Sequence, residues 1–102
     1  MAKNKDYRDS LTKSLKNDKE AVAYLDAAIE DGDKEVFFLA IRDLIEARLG
    51  GMAKLAKKTG LSRESLYRTL SGKGNPTYEG LESILGTMGF RLSVHRKKAA
   101  NE

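Results

Sequence analysis

Three features of the sequence predict an all-α fold. Pro76 is the single proline among 102 residues, helix-forming residues predominate, and apolar side chains recur at the three- and four-residue spacing of amphipathic helices. Only the stretch Phe90–Val94 alternates apolar and polar residues in the manner of a half-buried strand. We therefore expect five helices followed by one short β-strand.

The first two predicted helices have the clearest amphipathic patterns. In DKEAVAYLDAAIED, one apolar stripe is formed by Ala21, Val22, Leu25, Ala28 and Ile29. Gly32 ends this helix, and Asp33 can cap the next one, KEVFFLAIRDLIEARL. The second helix has an apolar face wide enough for a central core helix, formed by Val36, Phe37, Ala40, Ile41, Leu44, Ile45 and Leu49.

The remaining three predicted helices are shorter and are separated by turn residues. MAKLAKKTG turns Leu55 and Ala56 inward and ends at Gly60, which suits the left-handed position after a helix end. Ser62 is a good N-cap for RESLYRTLS. After the GKGNP loop, Thr77 can cap a fifth helix, YEGLESILGTMG.

The predicted strand needs a partner, because a lone strand leaves its backbone groups unpaired. No second strand is evident in the sequence, so we expect a homodimer in which two such strands pair across a two-fold axis through Phe90, Leu92 and Val94. We assign residues 18–95 to the folded domain. Residues 1–17 are expected to be a polar, partly disordered segment, and residues 96–102 a disordered basic tail.

Composition excludes several classes of function. The chain has no cysteine and one histidine, His95, so we expect no disulfide, no metal site and no cofactor. No apolar run approaches the ~20 residues of a membrane helix, and the N-terminus lacks the apolar core of a signal peptide. The GKG loop lacks P-loop spacing, and Asp31 and Asp33 flank a turn glycine as helix caps do. The sequence thus predicts a soluble cytoplasmic protein that is not an enzyme.

Charge is unevenly distributed along the chain. The net charge is +4, from 19 Lys and Arg against 15 Asp and Glu. Residues 17–46 carry nine acids and three bases, whereas residues 52–76 carry six bases and one acid. One interpretation is two surfaces with different partners, one of which is a polyanion; the other is a pair of ordinary solvated helix surfaces.

Residues 52–72, MAKLAKKTGLSRESLYRTLSG, have the pattern of a helix-turn-helix. Ala56 allows the two helices to cross closely, Leu61 is expected to fill the joint, and Leu66 and Leu70 anchor the second helix on the core. The N-terminal part of that second helix would enter the major groove of DNA. Simple packing is the alternative, because glycine-linked helix pairs are common in helical proteins.

This stretch resembles the Xre/Cro type of helix-turn-helix, which implies an Xre/lambda-repressor-like domain. The resemblance implies that Arg63, Glu64 and Arg68 read base edges, with Glu64 either accepting from a cytosine amino group or orienting Arg68. It also implies contacts to the DNA backbone from Met52, Ser62, Ser65, Tyr67, Ser71, Lys73 and Asn75.

A longer resemblance covers about residues 20–95. The stretches YLDAAIEDGD, GLSRESLY and GFRLSV, in that order, resemble the addiction module antidotes, the HigA-like antitoxins. The resemblance implies a type II antitoxin that represses its own operon at palindromic operator DNA. It also implies a small basic toxin of the RelE/ParE-like (HigB-like) kind as partner, for which Glu20, Asp26 and Glu30 are candidate contacts. A stand-alone, phage-derived Xre-type repressor and a protein-binding helical adaptor remain open as alternatives.

Overall fold

The computed structural model describes the backbone of residues 2–97 and the side chains of residues 6–97. Within these residues the chain forms six helices and no strand, which confirms the all-α class. None of these helices is long and apolar enough to cross a membrane. The helices are α1 (Ala2–Leu15), α2 (Asp18–Asp31), α3 (Lys34–Leu49), α4 (Met52–Thr59), α5 (Arg63–Thr69) and α6 (Tyr78–Gly86).

Side-chain caps set the beginnings of three helices where the sequence predicts them. Asp33 accepts from the backbone amide of Glu35 at the start of α3. Ser62 begins α5 and Thr77 begins α6, each by accepting from a backbone amide three residues later. Each cap satisfies an amide that has no partner inside its helix, so local sequence is enough to place these boundaries.

The core is built around α3, which contributes seven buried residues. Helices α1 and α2 pack against α3 and against each other, while α4 joins α3 to α5 and α6. The predicted anchors Leu66 and Leu70 are fully buried, as are Leu55 of α4 and Ile84 of α6. The two short helices are therefore anchored in the core, α4 on α3 and α5 on α4.

Helix α1 lies where the sequence analysis expected a polar, partly disordered segment over residues 1–17, and it raises the helix count from five to six. Leu15 is buried and Leu11 packs partly against the core. Arg48 of α3 fixes the end of this helix, because its Nε donates to the Leu15 carbonyl at 2.9 Å and its Nη2 pairs with Asp18 at 2.5 Å. Two leucines one turn apart are too sparse a stripe for periodicity to reveal.

The predicted strand Phe90–Val94 is not formed in the described residues. Instead, the Phe90 ring lies 4.7 Å from the Arg48 guanidinium, and the Leu92 amide donates to the Glu82 carboxylate at 2.7 Å. Phe90 and Leu92 therefore pack on the body of their own chain, while Val94 is 95% exposed. At Phe90 and Leu92 the apolar positions of the alternation correspond to packing within the chain, and the pairing with a second chain stays a prediction. Residues 98–102 of the predicted basic tail lie outside the described residues.

Candidate nucleic-acid interface

The connection between α4 and α5 is a tight turn of three residues, 60–62. Gly60 has a φ of +76°, a left-handed conformation that side chains disfavour. The Thr59 hydroxyl donates to the Leu55 carbonyl at 3.0 Å and accepts from the Leu61 amide at 3.2 Å. These bonds, with the Ser62 cap, fix the end of α4, the turn and the start of α5.

Helix α5 separates its buried residues from its charged residues. Leu66 is fully buried, whereas Arg63, Glu64, Tyr67 and Arg68 are exposed, Tyr67 to 57%. The outward side is thus available to a partner without any loss of core packing. Leu61 is 38% exposed, so it does not fill the joint between the helices as expected.

The three predicted base-reading residues do not share one environment. Arg68 lines a groove of about 590 Å³ between α5 and α6, together with Ser65 and Asn75. Arg63 and Glu64 lie outside this groove, at the N-terminal end of α5. Glu64 and Arg68, both among the described residues, form no ion pair, so Glu64 does not orient Arg68 in this structure.

Four of the predicted backbone contacts lie at the two ends of this helix pair. Met52 is half-buried at the start of α4, while Ser71, Lys73 and Asn75 are exposed in the loop that follows α5. Three exposed lysines of α4 extend the positive charge around them, namely Lys54, Lys57 and Lys58. The exposed charged residues of α4, α5 and the loop are thus mostly basic.

Helix α2 presents the opposite charge, together with apolar side chains that the sequence analysis placed in the core. Val22 and Ile29 are 44% and 55% exposed, so their predicted burial is wrong. At about 100° per residue they share an arc of the helix with Asp26 and Glu30. We call these four residues the outer face of α2.

Glu20 does not belong to the outer face of α2. Its carboxylate accepts a 2.6 Å hydrogen bond from the Ser14 hydroxyl of α1, at the corner between α1 and α2. Of the three acids predicted to contact a toxin, the structure therefore brings Asp26 and Glu30 together and leaves Glu20 apart. Across the helix, the Tyr24 hydroxyl donates to Asp43 of α3 at 2.8 Å. Burial and this hydrogen bond raise the pKa of Tyr24 to about 12.

The described residues hold no group of three or more His, Asp or Glu side chains placed to bind a metal ion. The described residues present mostly basic side chains on α4 and α5 and an acidic, partly apolar surface on α2. These two surfaces are carried by different helix pairs, since α2 packs on α1 and α3 while α5 packs on α4.

Comparison with known proteins identifies the family to which the chain is similar. A family model described as "Probable addiction module antidote protein" matches residues 6–96, which include most of α1 and all of α2 to α6. A protein of Haemophilus influenzae described as "Uncharacterized protein" is 30% identical over 86 residues, which are 84% of this chain and 87% of that protein. No solved structure matches the chain.

Proposed function

The chain belongs to the family of addiction module antidote proteins, and from this premise we propose that it is the antitoxin of a type II toxin–antitoxin module. It neutralises a small basic toxin of the RelE/ParE-like (HigB-like) kind by direct binding, and it represses its own operon. The family match over residues 6–96 is the observation that carries this proposal. The alternative, a stand-alone repressor, would bind DNA but would have no toxin partner.

DNA binding is assigned to α4 and α5, which act as a helix-turn-helix of the Xre type. Helix α5 lies in the major groove, where Arg63 at its start and Arg68 in its last turn donate to guanine edges and Glu64 accepts from a cytosine amino group. Contacts to the phosphate backbone come from Met52, Ser62, Ser65, Tyr67, Ser71, Lys73 and Asn75. The exposure of the charged side of α5, together with the burial of Leu66 and Leu70, supports this assignment.

A homodimer would place two copies of α5 about one turn of DNA apart, roughly 34 Å, on a palindromic operator. We assign the dimer contact to the segment Phe90–Val94. Because Val94 is 95% exposed, replacing it costs the single chain little. Proline removes a backbone donor from a strand pair, so Val94→Pro is expected to convert the dimer to a monomer. Light scattering measures this change.

Val94→Thr is the matched control for this prediction, because threonine is also β-branched and keeps the backbone amide. We expect this variant to remain dimeric. If Val94→Pro is as dimeric as the parent chain, or if the parent chain is itself monomeric, this segment is not a dimer interface.

Toxin binding is assigned to the outer face of α2. An exposed apolar pair, Val22 and Ile29, provides surface to bury, and Asp26 and Glu30 provide a charge opposite to that of a basic toxin. A second copy of the chain is a poor occupant of this face, because symmetric packing would bring acids against acids. The proposal therefore leaves α5 free to bind DNA while the toxin is bound.

Reversing the two acids on this face, with Asp26→Lys and Glu30→Lys, is expected to slow association with the toxin about tenfold at low salt. The difference should shrink as salt screens the charges. Surface plasmon resonance against the toxin measures the rate of association. Asp6→Lys with Asp9→Lys makes the same change in net charge on the exposed side of α1 and is expected to have a smaller effect. Equal rates for the two double variants would remove α2 from the interface.

A further inference from the structure

The loop that follows α5 is held at three points by α3. Arg42 Nη1 donates to the Leu70 carbonyl at 2.6 Å, and Lys34 Nζ donates to the Gly74 carbonyl at 3.0 Å. Between these two bonds, Gly72 lies directly against Glu35: a Cβ added to the glycine would be 3.2 Å from Glu35 Cγ and 3.3 Å from its Cα. Side chains of one helix thus touch every second residue of the loop.

Burial alternates along the loop with the same period of two. Leu70 and Gly72 are buried and Gly74 is half-buried, whereas the residues that follow each of them are exposed. Those exposed residues are Ser71, Lys73 and Asn75, the predicted backbone contacts of this loop. Because alternate residues of the loop face α3, the three predicted backbone contacts face away from it.

We propose that Arg42, Glu35 and Lys34 of α3 are positioning residues for DNA binding, which hold alternate loop residues so that Ser71, Lys73 and Asn75 face the phosphate backbone. This inference rests on the proposed DNA-binding function, and it assigns to α3 a part in that function. It also gives a role to Lys34 and Arg42, which are two of the three bases in the acidic segment 17–46.

Two of the three contacts between α3 and the loop have a clear physical reason. The Leu70 carbonyl belongs to the last turn of α5, where carbonyl groups lack partners within the helix and carry partial negative charge, so a guanidinium is a favourable donor. Gly72 has a φ of +79°, which side chains disfavour, and a Cβ there would be in tight contact with Glu35, so glycine suits this close approach of the loop to α3. Helix α3 is itself fixed by its buried residues, which makes it a rigid base.

The test compares Arg42→Ala with Lys73→Ala on two duplexes, one selected by the parent chain from a random library and one unrelated. Each phosphate contact contributes about 0.9 to the slope of log affinity against log salt concentration, called here the salt slope. A variant that loses one contact therefore has a salt slope smaller by about 0.9, and its affinity relative to the parent chain is about fivefold lower at 0.15 M salt than at 1 M salt. We expect both variants to show this loss equally on both duplexes. The double variant should lose less than the sum of the two single variants, because the contact of Lys73 is among those that Arg42 positions.

Two control variants, Lys19→Ala and Arg42→Lys, separate a positioning role of Arg42 from the mere loss of a positive charge. Lys19→Ala removes one exposed positive charge on α2 and is expected to leave the salt slope unchanged, whereas Arg42→Lys keeps a donor and should restore part of the affinity. Gly72→Ala tests the same hold without changing any charge. It should raise amide exchange in residues 71–75 and weaken binding to both duplexes, while protection of the buried residues of α3 is retained.

Each outcome decides between the possibilities. If the parent chain binds neither duplex, the proposed DNA-binding function fails, and the positioning role fails with it. If the parent binds but Arg42→Ala and Gly72→Ala bind as well as the parent, α3 does not position the loop. Additive losses in the Arg42→Ala and Lys73→Ala cycle, or a loss confined to the selected duplex, also overturn the inference.

Discussion

Leu66→Ala is expected to lower the free energy of unfolding by about 2–5 kcal/mol, the largest stability effect anticipated for α5. Leu66 is fully buried and is one of the two leucines that fasten this short helix to the core. A domain of this size has a total stability of about 5–15 kcal/mol, so the loss is a large fraction of the whole. Urea denaturation followed by circular dichroism measures it.

The neighbouring residue supplies the control. Tyr67→Ala removes a larger side chain from the same helix, but Tyr67 is 57% exposed, and we expect a loss well below that of Leu66→Ala. Similar losses for the two variants would mean that α5 is not anchored through the side that carries Leu66. The assignment of its opposite side to DNA would then lose its structural basis.

Arg63→Ala and Arg68→Ala are each expected to cost about 1–3 kcal/mol of operator affinity and to relax the preference for particular bases. Both residues are exposed on α5, and Arg68 lines the groove towards α6. Loss of discrimination is the specific sign, because a phosphate contact weakens binding to all sequences alike. Binding to the selected duplex and to single-base variants of it, measured by fluorescence anisotropy, separates the two effects.

Arg8→Ala is the matched control, since it removes an exposed arginine from α1. It is expected to leave base preference unchanged. If Arg63→Ala and Arg68→Ala retain the full affinity and preference of the parent chain, these residues do not read bases and α5 is not a recognition helix.

Local sequence was sufficient for the elements that depend on local interactions. The caps Asp33, Ser62 and Thr77 satisfy amides three residues away or fewer, and the anchors Leu66 and Leu70 are one turn apart on one helix. Helix α1 and the packing of Phe90 were not predictable in this way. Both are held by Arg48, through contacts to residues more than thirty positions away in the chain.

In the candidate site too, some features could be predicted from the sequence and others could not. Its charges and its outward residues on α5 could be predicted, because they follow from composition and helix periodicity. The exposure of Val22 and Ile29 could not, because an apolar stripe does not show how much of its width a neighbouring helix covers. The contacts between α3 and the loop could not be predicted either, because a hydrogen bond from Arg42 or Lys34 to a distant backbone carbonyl leaves no pattern in the sequence.

The measurement that tests the central claim most directly is growth of bacteria that express the small open reading frame adjacent to this gene, with and without this chain. The account predicts that the frame alone arrests growth and that the parent chain restores it. Arg63→Ala with Arg68→Ala should restore growth equally well, because the proposed toxin surface lies on α2, and Asp26→Lys with Glu30→Lys should restore it less. Arrest that persists at full expression of the parent chain, or an adjacent frame that has no effect on growth, would contradict the assignment as an antitoxin.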